Sequence, residues 1–145
     1  MIHVLFMRYQ GKYRPTFPRK YKGDYHNIIY RSSWEYKFMV WCDRSSSVTE
    51  WGSEEIVIPY ISPADGRRHR YFPDFYVKIG RKKYMVEVKP LRQTKQPKKQ
   101  KRQTKAYITE VVTYAINQAK WEAAKEYCKD RGWEFMLITE KELKV

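Results

Sequence analysis

Two acids stand on either side of one tight turn. Asp74 lies in Tyr71-Phe72-Pro73-Asp74-Phe75-Tyr76, and Glu87 lies in Met85-Val86-Glu87-Val88-Lys89. Gly80 and Arg81 read as a turn joining a strand over His69–Ile79 to one over Tyr84–Lys89, which Pro90 closes. Each acid stands six residues from its side of that turn, so pairing about it sets Asp74 opposite Glu87. Directly opposed residues have Cβ atoms about 4.5–5.5 Å apart, and like charges that close destabilise a strand pair. Side chains alternate along a strand, so Glu87 and Lys89 share one face while Val86 and Val88 share the other. Something must neutralise the two carboxylates. A hard divalent cation does so, and Mg²⁺ typically takes one or two carboxylates together with phosphate and water. That geometry suits metal-dependent hydrolysis of a phosphodiester, where the cation polarises a phosphoryl oxygen and lowers the pKa of a bound water. Lys89 would orient or activate that water, or stabilise developing charge.

Each of these residues also has a plainer reading. Asp74 can be a turn or edge acid, and Glu87 with Lys89 an exposed cross-strand charge pattern. Glu35 offers a third carboxylate, but it also stands three residues after Ser32, the spacing of a helix capping box. His3, His26 and His69 show no metal-ligand spacing. Cys42 and Cys128 are too few for a disulfide framework or a four-cysteine zinc site, and read as core or helix-face thiols in a reduced, cytoplasmic setting.

The acids are conspicuous because the chain is so basic. Its 145 residues carry 30 Lys and Arg against 16 Asp and Glu, a net charge of +14. The partner implied is a polyanion, nucleic acid before an acidic membrane surface. Half of the excess lies in one stretch, residues 92–105, where seven bases stand among fourteen residues without an acid. Pro97 and the lack of apolar periodicity make it a loop. It is either a solvated charged loop or one that contacts phosphate through Arg92, Lys95, Lys98, Lys99, Lys101, Arg102 and Lys105. The first thirty residues form a second basic region, an arm in which Lys20 and Lys22 stand among Tyr9, Tyr13, Phe17, Tyr21 and Tyr25. Such interleaving grips phosphates and stacks on bases, or else packs its aromatics on the domain surface. A content of 42% hydrophobic and 17% aromatic residues is enough for a packed core, which argues against a disordered chain. The length fits one domain. No run approaches the roughly 18–20 apolar residues that span a membrane. Met1–Met7 is apolar but lacks the basic start and cleavage site of a signal peptide.

Along the chain the pattern predicts a helix from Ser32 or Ser33 to about Asp43, with Trp34, Phe38, Met39, Trp41 and Cys42 on its apolar face, and then a loop over residues 44–49. A strand over residues 55–61 follows, then a turn at Pro63-Ala64-Asp65-Gly66. With the two strands about Gly80 it makes an antiparallel meander. A long helix over about 108–130 carries a stripe of Ile108, Val111, Val112, Ala115, Ala119, Ala123 and Tyr127. Gly132 ends it, and a buried strand over residues 133–139 follows, parallel to the third strand across a right-handed connection. The expected fold is α/β, a mixed sheet flanked by helices. The domain division is an arm over residues 1–30 and a catalytic domain over residues 31–145.

Pro73-Asp74, twelve intervening residues, and then Glu87-Val88-Lys89 resemble the motif of the PD-(D/E)XK nucleases. That resemblance implies a restriction-endonuclease-like fold with the motif on a hairpin. Longer strings resemble the head-completion nucleases of large tailed bacteriophages: Tyr30-Arg31-Ser32-Ser33-Trp34-Glu35, residues 54–60, His69-Arg70-Tyr71-Phe72, Glu87-Val88-Lys89-Pro90 and residues 119–124. Transposon-end nucleases of the same superfamily share the Arg-Ser-x-x-Glu, Pro-Asp-Phe and Glu-Val-Lys-Pro pieces. The resemblance implies a Mg²⁺-dependent DNA endonuclease, with Mn²⁺ as a substitute, that acts on double-stranded DNA after packaging and before tail joining. By the same resemblance Asp74, Glu87 and Glu35 hold metal and Lys89 completes the catalytic set. Gln118 and Lys120 on the long helix are accessory candidates. Phage head or neck proteins are the implied partners, with no membrane, as monomer or homodimer, in the host cytoplasm or associated with the virion. The competing readings are a DNA-binding or capsid-joining structural protein on the same fold, and an RNA-processing nuclease.

Overall fold

Gly80 adopts a positive φ of 62°, and with Arg81 it reverses the chain in two residues. Strands β6 (Phe75–Ile79) and β7 (Lys82–Val88) therefore pair antiparallel with Ile79 opposite Lys82 and Phe75 opposite Val86. This is the register read from the sequence. The structure, a computed structural model, describes residues 8–144, so Met1–Met7 and His3 lie outside it. The remaining strands are β1 (Arg8–Tyr13), β2 (Ile28–Ser32), β3 (Val48–Ser53), β4 (Ile58–Ile61), β5 (Arg68–Tyr71) and β8 (Glu134–Ile138). The helices are α1 (Ser33–Arg44), α2 (Lys105–Arg131) and the short α3 (Glu140–Leu143).

The central sheet runs β3-β6-β7-β8, antiparallel except for the parallel pair β7 and β8 joined through α2. It is the expected mixed sheet with helices on both faces. Val77, Val86 and Val88 pack toward Trp34, Phe38, Met39 and Cys42 of α1. On the other face Met85 packs with Trp121, Ala124 and Cys128 of α2 and with Ile58, Tyr60 and Tyr71. Alternation along β7 thus divides one strand between two cores. Both cysteines are free and buried.

Three details differ from the sequence pattern. The second meander strand is broken: β5 pairs with β4 in a separate ribbon, the chain bends at Phe72-Pro73-Asp74, and only β6 enters the central sheet. Proline has no N–H to donate to a ladder, which is why the strand breaks there. The loop expected over residues 44–49 shortens to residues 45–47, and an unforeseen strand, β3, begins at Val48. A register shift between Val48 and Glu50 puts Val48 and Trp51, three residues apart, into the same core, and this hides the two-residue period. Along α2 the buried stripe is Asn117, Trp121, Ala124 and Cys128, while Ile108, Val111 and Val112 are exposed. A helix of 27 residues is about 40 Å long, and a seven-residue strand only about 24 Å, so the first turns of α2 overhang the sheet.

Residues 8–31 are woven into the core. Strands β1 and β2 form an antiparallel ribbon, and Tyr13, Tyr21 and Ile28 are buried. Pro18–Lys20 form a single 3₁₀ turn. This segment is tied to the end of α1 by Asp43, which is fully buried. The Tyr13 hydroxyl and the Thr16 N–H each donate to Asp43 Oδ2 at 2.6 Å, and the Phe17 N–H donates to Oδ1 at 2.9 Å. Lys20 Nζ donates to the Asp43 and Ser45 carbonyls, both at 2.8 Å. Replacing Asp43 by Ala would leave the buried Tyr13 hydroxyl without its acceptor, at about 1–3 kcal/mol, and release two part-buried backbone donors. We expect Asp43→Ala to lose about 2–3 kcal/mol of stability in urea unfolding followed by circular dichroism.

Candidate active site

The bend at Pro73 decides where Asp74 points. The Asp74 carbonyl accepts from the Glu54 N–H at 3.1 Å, anchoring the bend to the end of β3. Its carboxylate then reaches across the hairpin mouth, where Oδ2 accepts from the Val88 N–H at 2.8 Å. In return Glu87 Oε1 accepts from the Asp74 N–H at 3.3 Å. Glu87 is buried, and a second bond to Oε1 comes from the buried Tyr71 hydroxyl at 2.9 Å. Lys89 Nζ lies 3.9 Å from Glu87 Oε2, on the same face of the strand. The face shared by Glu87 and Lys89, and the opposition of Asp74 and Glu87, are as the sequence predicts.

The electrostatics follow from this crowding. Burial raises the Asp74 pKa well above the ordinary carboxylate range, and the charges of Glu87 and then Glu35 push it the same way. The Val88 N–H and Lys89 offset only part of that. Glu35 stands on the first turn of α1, where its N–H donates to Ser32 Oγ at 3.1 Å. Its carboxylate accepts from the Arg31 N–H at 3.2 Å. Both readings of Glu35 therefore meet in one residue: it serves the helix start and it faces the other acids. Its pKa is raised, by burial first and then by Glu54 and Glu87, while the Arg31 N–H and charge oppose the shift.

Glu54 is the acid that sequence reasoning passed over. It has a positive φ of 54°, uncommon outside glycine, and pairs with Arg31 at 2.7 Å. Neither alternation nor a capping pattern marks it. Its place beside Asp74 comes from the contact of β3 with the Pro73 bend.

The basic candidates are distributed differently. Arg92 lies in a 3₁₀ turn, Leu91–Thr94, which the Leu91 N–H fastens to Glu140 Oε1 at 2.7 Å. Lys95, Lys98, Lys99, Lys101, Arg102 and Lys105 are exposed along the following loop and the first residue of α2. Lys20 is a different case from the phosphate contact expected of it, since its ammonium is spent on two backbone carbonyls. Lys22 is exposed and lies 3.8 Å from Glu50. Lys120 sits 5.6 Å over the Tyr71 ring, one residue removed from Glu87. Nothing among the described residues ties Gln118 to the acids. His69 pairs with Asp65 at 2.8 Å, away from this cluster.

Among the described residues no group of three or more His, Cys, Asp or Glu side chains is gathered closely enough to hold a metal ion. The donor set that does converge is a pair of carboxylates beside an ammonium. The TnsA-like endonuclease N-terminal family model matches residues 45–140, a span that holds Asp74, Glu87 and Lys89. A head completion nuclease of Enterobacteria phage T4 is 38% identical over 143 residues, 95% of this chain and 95% of that protein. No solved structure matches the chain.

A carboxyl with a raised pKa binds its proton more tightly folded than unfolded, so its ionisation subtracts stability as pH climbs above the ordinary carboxylate range. In EDTA at pH 8 we expect Asp74→Asn to melt about 2–4 °C above the wild type, equivalent to about 1 kcal/mol. The gap should narrow as pH falls toward 4, which differential scanning calorimetry would show.

Proposed function

The chain belongs to the TnsA-like endonucleases, and on that premise we propose that it is a divalent-cation-dependent endonuclease of double-stranded DNA that works in phage head completion. Endonuclease activity comes with the family. Dependence on Mg²⁺, or Mn²⁺ in its place, rests chiefly on the pairing of Asp74 with Glu87. Two oxygen donors that repel each other fit a hard cation, which typically takes one or two carboxylates and completes its shell with phosphate and water. Asp74 and Glu87 would hold it; Glu35, expected as a third ligand, does not gather with them closely enough to complete a three-carboxylate group and acts on the pair through its charge. Bound there, the cation would polarise the phosphoryl group and acidify a water. The chain's own groups do the remaining work. Tyr71 and the Asp74 N–H hold Glu87 in place. Lys89, close to Glu87, orients the attacking water or stabilises charge developing on the phosphate. The exposed bases of residues 92–105 neutralise the DNA backbone beside the acids.

The T4 relative carries the name of head completion, and likeness over 95% of both chains supports the same setting here. In that setting the protein works in the host cytoplasm during assembly, or with the virion, and head or neck proteins are its partners.

Asp74→Ala and Glu87→Ala should each abolish Mg²⁺-dependent nicking and cleavage of plasmid DNA while leaving DNA binding in EDTA nearly intact, and Lys89→Ala should slow cleavage at least about 100-fold. Mg²⁺ should raise the melting temperature of the wild type and not that of Asp74→Ala. Cleavage by Asp74→Ala at the wild-type rate would overturn the assignment. Neutralising Lys98, Lys99, Lys101 and Arg102 together should weaken binding and reduce the slope of log K against log salt by up to about 3.6, at about 0.9 for each phosphate that is no longer neutralised. Fluorescence anisotropy across a salt series measures that slope.

A further inference from the structure

Beyond Lys89 the chain makes the 3₁₀ turn Leu91–Thr94 and leaves a cleft of about 250 Å³ between this turn and the middle of α2. Arg92, Gln93 and Lys95 line one side, and Glu110, Tyr114 and Asn117 the other. We propose that this cleft receives one unpaired nucleotide of the DNA substrate, so that the enzyme selects duplex carrying an overhang, a bulge or a branch. The proposal deepens the endonuclease reading and rests on it.

Asn117 carries the argument. It is 7% exposed, lines the cleft, and makes no side-chain hydrogen bond among the described residues. Its amide is not among the fully buried polar groups, so what remains of its exposure opens on the cleft, where a ligand can take the hydrogen bonds that no protein group takes. The amide offers both donors and an acceptor, the combination that pairs with the edge of a nucleobase. Tyr114, one helical turn earlier on the same face, presents an aromatic ring on which a base can stack.

The charges orient the ligand. Arg92 and Lys95 are exposed cations on the loop side and suit the phosphate. Glu110 on the helix side repels phosphate and accepts from an exocyclic amine. Size limits the occupant further, because the cleft falls below the roughly 300–1,000 Å³ of sites that enclose drug-sized ligands. A volume of this size suits a single base. An already unpaired base enters at least cost, since no stacking or pairing need be broken.

Helix α2 links the cleft to the neighbourhood of the acids. Lys120 follows Asn117 by three residues, about 4.5 Å along α2. It lies over the ring of Tyr71, whose hydroxyl donates to Glu87. A nucleotide held by Asn117 and Tyr114 would therefore fix the neighbouring phosphate near Asp74 and Glu87.

Binding in EDTA, where no cleavage occurs, tests this separately from catalysis. Anisotropy would compare a fully paired duplex with the same duplex bearing a single-nucleotide bulge, in which 2-aminopurine is the unpaired base. The wild type should prefer the bulged duplex about tenfold and quench its fluorescence. Asn117→Ala and Tyr114→Ala should each lose most of that preference and keep their affinity for paired DNA, and Tyr114→Ala should also lose the quenching. If Asn117→Ala melts early, the half-buried Tyr114 decides the matter. Equal wild-type affinity for the two duplexes, or a full preference in Tyr114→Ala, would overturn the proposal while leaving the loss of cleavage in Asp74→Ala untouched.

Discussion

Asp74 and Glu87 face each other across the β6–β7 hairpin, and the charge of Glu87 adds to burial in making Asp74 costly to ionise. Much of the surrounding structure holds that pair in place against its own repulsion. The two-residue turn at Gly80 and Arg81 fixes the register. The Pro73 bend frees Asp74 from the strand ladder, and the N–H of Val88 and the hydroxyl of Tyr71 hold the two carboxylates. A fold that needed only stability would place apolar or oppositely charged residues here. Two acids are nonetheless kept together in a chain of net charge +14, which marks them as a functional rather than a stabilising pair.

The N-terminal ribbon contributes indirectly. Its bonds to Asp43 clamp the far end of α1, and Phe38 of that helix packs on Phe75 beside Asp74 with ring centroids 4.7 Å apart. With α1 fixed at that end and capped by Ser32 at the other, Glu35 is held facing the acids. Basic residues in this region serve the fold as much as any ligand, as Lys20 shows. The densest run of exposed cations lies on the loop that follows β7 and continues into α2. Negative charge is thereby gathered inside and positive charge spread outside, the arrangement expected where an anionic substrate must approach a cation.

How much of this was legible in the chain differs from residue to residue. The pairing of Asp74 with Glu87 was visible because strand periodicity and a glycine turn are local rules, and so was the start of α1 at Ser32. The stripe along α2 was displaced because periodicity reports which residues are apolar and not where a sheet ends. Strand β3 was hidden by a register shift, and Glu54 by a contact between segments twenty residues apart in sequence.

The sequence by itself determined the chemistry: which acids stand together on a hairpin, that bases surround them, and which superfamily the strings resemble. Only the tertiary structure decided which charges are free to act. It turned Lys20 inward onto backbone carbonyls, set Glu54 beside Asp74, and left the amide of Asn117 facing a cleft. The physical reason is range: turns, caps and alternation are written within a few residues, whereas burial and partnership depend on which distant segments pack against one another.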